Sequence, residues 1–300
     1  MSRVNYWTIA AGIVAMHCLA TPLQASERIS IADGAHHAGT VETRNSPISI
    51  GEGVEVEGNI QSRNGSVSIG KHVVAGDVST RNGSVGLGQG GRVGTITTRN
   101  GSVAVGSSSE VAGIGTRNGS ISVGRDSVID GRIRTRNGSI SLQADTRVAD
   151  DVSTRNGRID LETGVEVAGH VSTRNGDISL NQARVGRDLQ SRGGDLSVEG
   201  GSQVGGDVVI EVTEHQGGRR GGFFGFGSTR VYPDAGDIRI LGGSEVHGNV
   251  VVKLPEDYDE EIPVVEIDAD SRVHGSVRVD ERVELVIEGH VDGGIERIAH

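Results

Sequence analysis

Nine arginines recur at one place in a repeated motif: Arg44, Arg63, Arg81, Arg99, Arg117, Arg136, Arg155, Arg174 and Arg192. Eight of them precede Asn, and Gly follows in seven of those eight pairs; Ser46 is the exception, and Arg192-Gly193 continues the series. Successive Asn positions lie 18 or 19 residues apart. If the repeats stack, the arginines form a single-sign column. Unit charges about 5 Å apart in water repel by roughly 0.8 kcal/mol before screening, so such a column must splay, pair with local acids or meet an external anion. The functional reading is a linear anion-binding stripe for acidic polysaccharide or lipopolysaccharide phosphate. Nucleic acid fits least, because the chain is acidic and the stripe lacks aromatic side chains for stacking bases.

A second candidate is an interruption of the repeat at 213–235. It holds all three phenylalanines, Phe223, Phe224 and Phe226, together with Arg219, Arg220, Arg230 and Tyr232. Loops of this length without a strand pattern tend to be functional or disordered, and aromatics with Arg are enriched at binding hot spots. This loop is expected to be the main partner contact, with an envelope polysaccharide or protein. A shorter insertion, 254–263, carries Glu256, Asp257, Asp259, Glu260 and Glu261.

Other chemistry-bearing residues point to less. His247 and His274 share a register and are expected to stack, but zinc needs about four ligands and no third His or Cys is at hand. His36-His37 reads as loop. Gly-Asp pairs such as Gly76-Asp77 and Gly206-Asp207 resemble those of calcium-binding solenoids, without the tandem nonapeptide run. No metal and no cofactor is expected. Polysaccharide lyases and hydrolases need clustered carboxylates, and none breaks the repeat. The expectation is a non-enzymatic protein, with a polysaccharide-active β-helix enzyme as the alternative.

The elements that place these residues are short strands. In Ser66-Val67-Ser68-Ile69 the apolar residues are two apart and share one side. The same holds for Ile121 and Val123, Ile140 and Leu142, Ile159 and Leu161, and Ile178 and Leu180. A second strand in each unit is expected to turn Val74 and Val78, or Val167 and Val171, inward. The Asn-Gly pair suits a tight corner, since both residues tolerate the left-handed backbone, and stacked Asn can form an amide ladder. About four inward side chains per unit cannot bury themselves alone, so the coils must stack. The predicted fold is all-β: a single-stranded β-helix (solenoid) of about 12 coils, right-handed on its mixed apolar spacings and 19-residue coils, with a left-handed hexapeptide-type helix of 18 residues per coil as the alternative.

Residues 1–25 read as an export signal: Arg3, an apolar run over 8–20 too short to span a bilayer, then Thr21-Pro22-Leu23-Gln24-Ala25, with cleavage after Ala25. That removes the only Cys, the only Trp and both Met, leaving no thiol for disulfide, metal or nucleophile. Residues 26–300 then form one solenoid domain, exported to the periplasm, the cell surface or beyond. Charge is uneven along it. From Arg44 to Arg192 eighteen basic residues face fifteen acidic ones, whereas from Leu254 to His300 four face fourteen.

The aliphatic coils with Val-x-Gly-Asp-Val, as at Val74 to Val78, resemble bactofilins, polymer-forming bacterial β-helices. The Val-Ser-Thr-Arg-Asn-Gly-Ser-Ile-Ser pattern resembles secreted, adhesin-like β-strand-repeat proteins. The resemblance spans residues 40–300 and implies the fold, with self-association through the solenoid ends; it implies no functional residue.

Overall fold

The computed structural model describes residues 28–213 and 232–299. Every regular element in them is a β-strand, and all the pairings are parallel. Each turn of chain contributes three short strands to three columns. The first column holds thirteen strands, from Ile29–Ile31 to Glu284–Ile287. The second runs from His36–His37 to His290–Val291, and the third from Val41–Thr43 to Ile295–Ile298. In two coils the second and third faces merge into one strand, Arg92–Thr98 and Glu110–Gly115. The chain is therefore a solenoid of 13 coils, one more than the repeat suggested. At the usual interstrand spacing the rod is on the order of 60 Å long.

Registers are uniform: Val85 pairs with Val67 and Val103, and Ile121 with Val103 and Ile140. Like residues therefore stack on like, and Val, Ile and Leu form one buried column down the axis. A typical coil supplies Val103, Val105, Val111 and Ile114, all buried.

Two local expectations are corrected. Eleven of the thirteen coils have three strands rather than two, because the chain bends at the Gly-Asp position between the second and third faces. Val74 is 45 % exposed, and its neighbour Val73 is the buried one. Val74 shares a column with Glu55, Arg92 and Glu110, an outward position that most coils fill with charge. His36-His37 is also not loop; it pairs with Glu55–Val56 as the first strand of the second column.

The left-handed residues form their own column, between the first and second faces. Gly53, His72, Gly90, Ser108, Asp126, Asp145, Gly164 and Gln182 have φ between 53° and 73°. The corner asparagines are not among them. Their glycines stack closely on the coil before, and Gly119, Gly138, Gly157 and Gly176 also take φ of 141–159°, a conformation open to glycine. A Cβ on Gly101 would lie 2.0 Å from the carbonyl oxygen of Gly83, and one on Gly65 2.0 Å from that of Ser46.

Candidate functional site: the arginine edge

The Thr-Arg-Asn-Gly segment forms the corner between the third and first faces, and each residue in it has one task. The threonine points inward. Thr80, Thr98, Thr135 and Thr154 are buried and donate their hydroxyls to the carbonyls of Gly65, Gly83, Gly119 and Gly138 in the preceding coil, at 2.9–3.0 Å. The asparagines form an amide ladder. Each Nδ2 donates to Oδ1 of the Asn one coil earlier, from Asn64 on Asn45 to Asn175 on Asn156, at 2.7–2.9 Å. The ladder ends at Asn175, whose buried Oδ1 has no donor, because the next coil has Gly193 in that position. Asn is ruled out there by crowding: a Cβ on Gly193 would meet the Asp234 carbonyl at 2.7 Å.

With threonine inside and asparagine locked in its ladder, arginine is left facing outward. All nine arginines of the column are exposed except Arg174, which is half-buried. Among the described residues none of the nine pairs with a carboxylate, although ion pairs between coils are common elsewhere on the rod. Arg92 meets Glu110 at 2.7 Å, Arg147 meets Glu166 at 3.4 Å, and Arg278 meets Glu296 at 2.8 Å. On those columns the sign alternates; on the corner it does not. Shallow clefts open between successive arginines. One, of about 300 Å³, is lined by Arg134, Arg136, Arg155, Arg174 and Arg192 with Thr and Ser side chains. Others lie around Arg99 and Arg117, and around Arg44, Arg63 and Arg81.

Both insertions emerge from this same edge. The strand Val208–Glu211 closes the third face, and the first face resumes at Ile238–Ile240, which pairs directly with Leu196–Glu199. The 213–235 segment therefore leaves at the arginine corner immediately after Arg192, whose Nη1 donates to Thr213 Oγ1 at 3.4 Å. Arg219, Arg220, Phe223, Phe224, Phe226 and Arg230 lie outside the described residues. Tyr232, grouped with them as a contact residue, is instead 7 % exposed and part of the core. Its ring centroid lies 6.1 Å from that of Tyr258.

Tyr258 belongs to the second insertion, between Val250–Lys253 and Val264–Ile267, and it fastens both insertions to the stack. Its hydroxyl accepts from Ala235 N at 2.9 Å and donates to the Glu261 carbonyl at 3.1 Å; burial pushes its pKa up. Arg282, paired with the buried Asp280, donates to the carbonyls of Pro255, Glu256 and Tyr258. The acids of this insertion thus sit at the end of the basic edge.

The carboxylates at the bend between the second and third faces serve the backbone. Asp77 Oδ1 accepts Thr95 N, Asp188 Oδ1 accepts Asp207 N, and Asp207 Oδ1 accepts Asn249 N. His247 and His274 do stack, with centroids 4.8 Å apart and planes 9° from parallel. They are also joined by a third donor that the sequence reading overlooked, Glu245.

The fold and site together define a β-solenoid with a basic edge whose nine arginines have no carboxylate partner among the described residues. Compared with family models, curated proteins and solved structures, the chain has no match. Among the described residues no helix is long and apolar enough to cross a membrane.

Proposed function

We propose that this protein is a non-enzymatic, exported binding rod of the bacterial envelope, which holds a linear acidic polysaccharide along its arginine edge. The observation that carries this reading is the contrast between columns. Several other columns pair opposite charges across coils, and stacked aspartates such as Asp177, Asp195 and Asp237 accept backbone N–H groups of the next coil, whereas the corner repeats Arg through nine coils with no carboxylate partner among the described residues. Like charges at coil spacing repel, so a fold selected only for stability and solubility has no reason to keep them in line. An anionic chain with a carboxylate or phosphate on successive units neutralises the column, and the outward hydroxyls of Ser79, Thr97, Ser153 and Ser172 in the clefts offer hydrogen bonds to its sugars.

The acidic insertion around Glu256 to Glu261 marks where the track stops. In sequence the 213–235 segment lies between the two, and its aromatic and arginine side chains supply the contact with the bound chain or with a protein carrying it. Export rests on the pattern of residues 1–25, and the adhesin-like and bactofilin-like repeat pattern agrees with a surface or scaffold role. The groove-lining residues, basic and hydroxylic with Glu42 as their one acid, offer no carboxylate pair for glycoside chemistry.

The test is titration of the protein with polygalacturonate and with a neutral glucan of similar length. Binding is expected for the acidic polymer alone, weakening as salt rises. Replacing Arg136, Arg155 and Arg174 together by Gln should flatten the salt dependence, since each cation removed releases fewer counterions. Equal binding of both polymers, or unchanged binding by the triple variant, would defeat the proposal.

A further inference from the structure

We propose that Glu245, His247 and His274 form a binding site for one divalent transition-metal ion of the zinc type, on a different edge of the rod from the arginines. Glu245 begins the second-face strand of its coil, Glu245–Val246, and His247 begins the bend that follows. His274 occupies the position of His247 one coil later, because Val246 pairs with Val273. The two Nε2 atoms converge on one carboxylate oxygen: His247 Nε2 lies 3.9 Å and His274 Nε2 4.0 Å from Glu245 Oε2. Ligand atoms of a tetrahedral zinc at about 2.0–2.1 Å are about 3.3 Å apart. The two N···O separations therefore need to close by about 0.6–0.7 Å, with all three donors already within 4.8 Å of one another. Rotation of these solvent-accessible side chains supplies that shift, and two imidazoles with one carboxylate are a known zinc set.

The surroundings set one imidazole for this task. His274 Nδ1 lies 3.1 Å from Asp292 Oδ2. A carboxylate there accepts a hydrogen bond from Nδ1–H, which keeps the proton on Nδ1 and leaves the Nε2 lone pair facing Glu245, the arrangement by which outer-shell carboxylates orient metal-bound histidines. Asp292 is itself held by Arg272, which donates to it through Nε at 3.1 Å and Nη2 at 2.8 Å. The guanidinium beside the site is thus committed to Asp292. Glu245, His247 and His274 all keep solvent access, so the fourth position is open to water or to an oxygen of a partner molecule.

The experiment is calorimetric titration of the full chain with Zn²⁺, paired with Co²⁺ titration followed by visible absorption. One ion per chain is expected, with the intense d–d bands of four-coordinate cobalt. His247→Ala and His274→Ala should each abolish that one-to-one phase, while His36→Ala, altering a histidine beside Glu55 and Glu57, should leave it intact. Asp292→Asn should keep the stoichiometry but weaken affinity by about 10–100-fold. Strand content and thermal midpoint of the metal-free variants, matching the parent, show that they fold. No binding by the parent chain would overturn the proposal, and so would binding that survives loss of His247 or His274.

Discussion

Arg155 and Arg174 occupy the same corner of successive coils, and Arg155 depresses the guanidinium pKa of Arg174, with burial and Arg192 acting in the same direction. This is repulsion retained inside a folded protein. Substituting Arg174→Gln should leave the fold intact and raise stability by a few tenths of a kcal/mol at low salt, while weakening polygalacturonate binding. Thermal melts and affinities at two salt concentrations check it. A drop in stability with unchanged affinity would mark the column as structural.

The amide ladder gives an internal comparison. Asn118→Ala breaks two side-chain bonds, one to Asn100 and one from Asn137, and should cost about 1–2 kcal/mol. Asn175→Ala breaks only the bond to Asn156, since its Oδ1 already has no donor, and should cost about half as much. Chemical denaturation of both variants, read by circular dichroism, measures the difference.

Glycine is required at one position of a coil and dispensable at another. Gly101→Ala would press a methyl group to 2.0 Å from a carbonyl oxygen of the coil before, so a loss of about 3 kcal/mol or failure to fold is expected. Gly86, in the strand Val85–Leu87, has nothing within 4 Å of its Cβ position. Gly86→Ala should be neutral or stabilise by about 0.4–1 kcal/mol. Comparing soluble yield and melting temperature decides both.

Asp160 carries the clearest pH dependence. Its register neighbours on the first face are Ser141 and Ser179, and burial raises its pKa despite the opposing pull of Arg158. A carboxyl whose folded pKa is raised holds its proton more tightly when folded. Its penalty is therefore present above the folded pKa and disappears as pH falls through that value to the unfolded one. Asp160→Ser should melt higher than the parent at neutral pH, and the gap should close on acidification toward pH about 4. A constant gap across that range would show that the side chain acts by other means.

Much of the architecture was legible because the repeat is regular. The spacing of Val67 and Ile69, or Ile140 and Leu142, places the first face correctly, and the shared register of His247 and His274 was enough to foresee their stacking. Reading one unit at a time failed at Val74. Its column, filled by Glu55, Arg92 and Glu110 in neighbouring coils, shows that the position faces water, and alignment down the stack carries that signal. The corner asparagines were misread because Asn-Gly commonly marks left-handed turns. Here the left-handed column lies elsewhere and includes Ser108 and Gln182, residue types that give no local warning. Glu245 escaped notice because a carboxylate two residues before a histidine is unremarkable until a second coil brings His274 beside it.

The uniform 18–19-residue turn makes the rod a ruler. Removing one whole coil, such as residues 101–118, takes out one corner Arg, one corner Asn and one corner Gly together and brings equivalent residues back into register. Length and valency therefore change in step, one rung at a time. A lineage can tune reach and grip by duplicating or losing short in-frame stretches of gene, with no need to redesign a single contact.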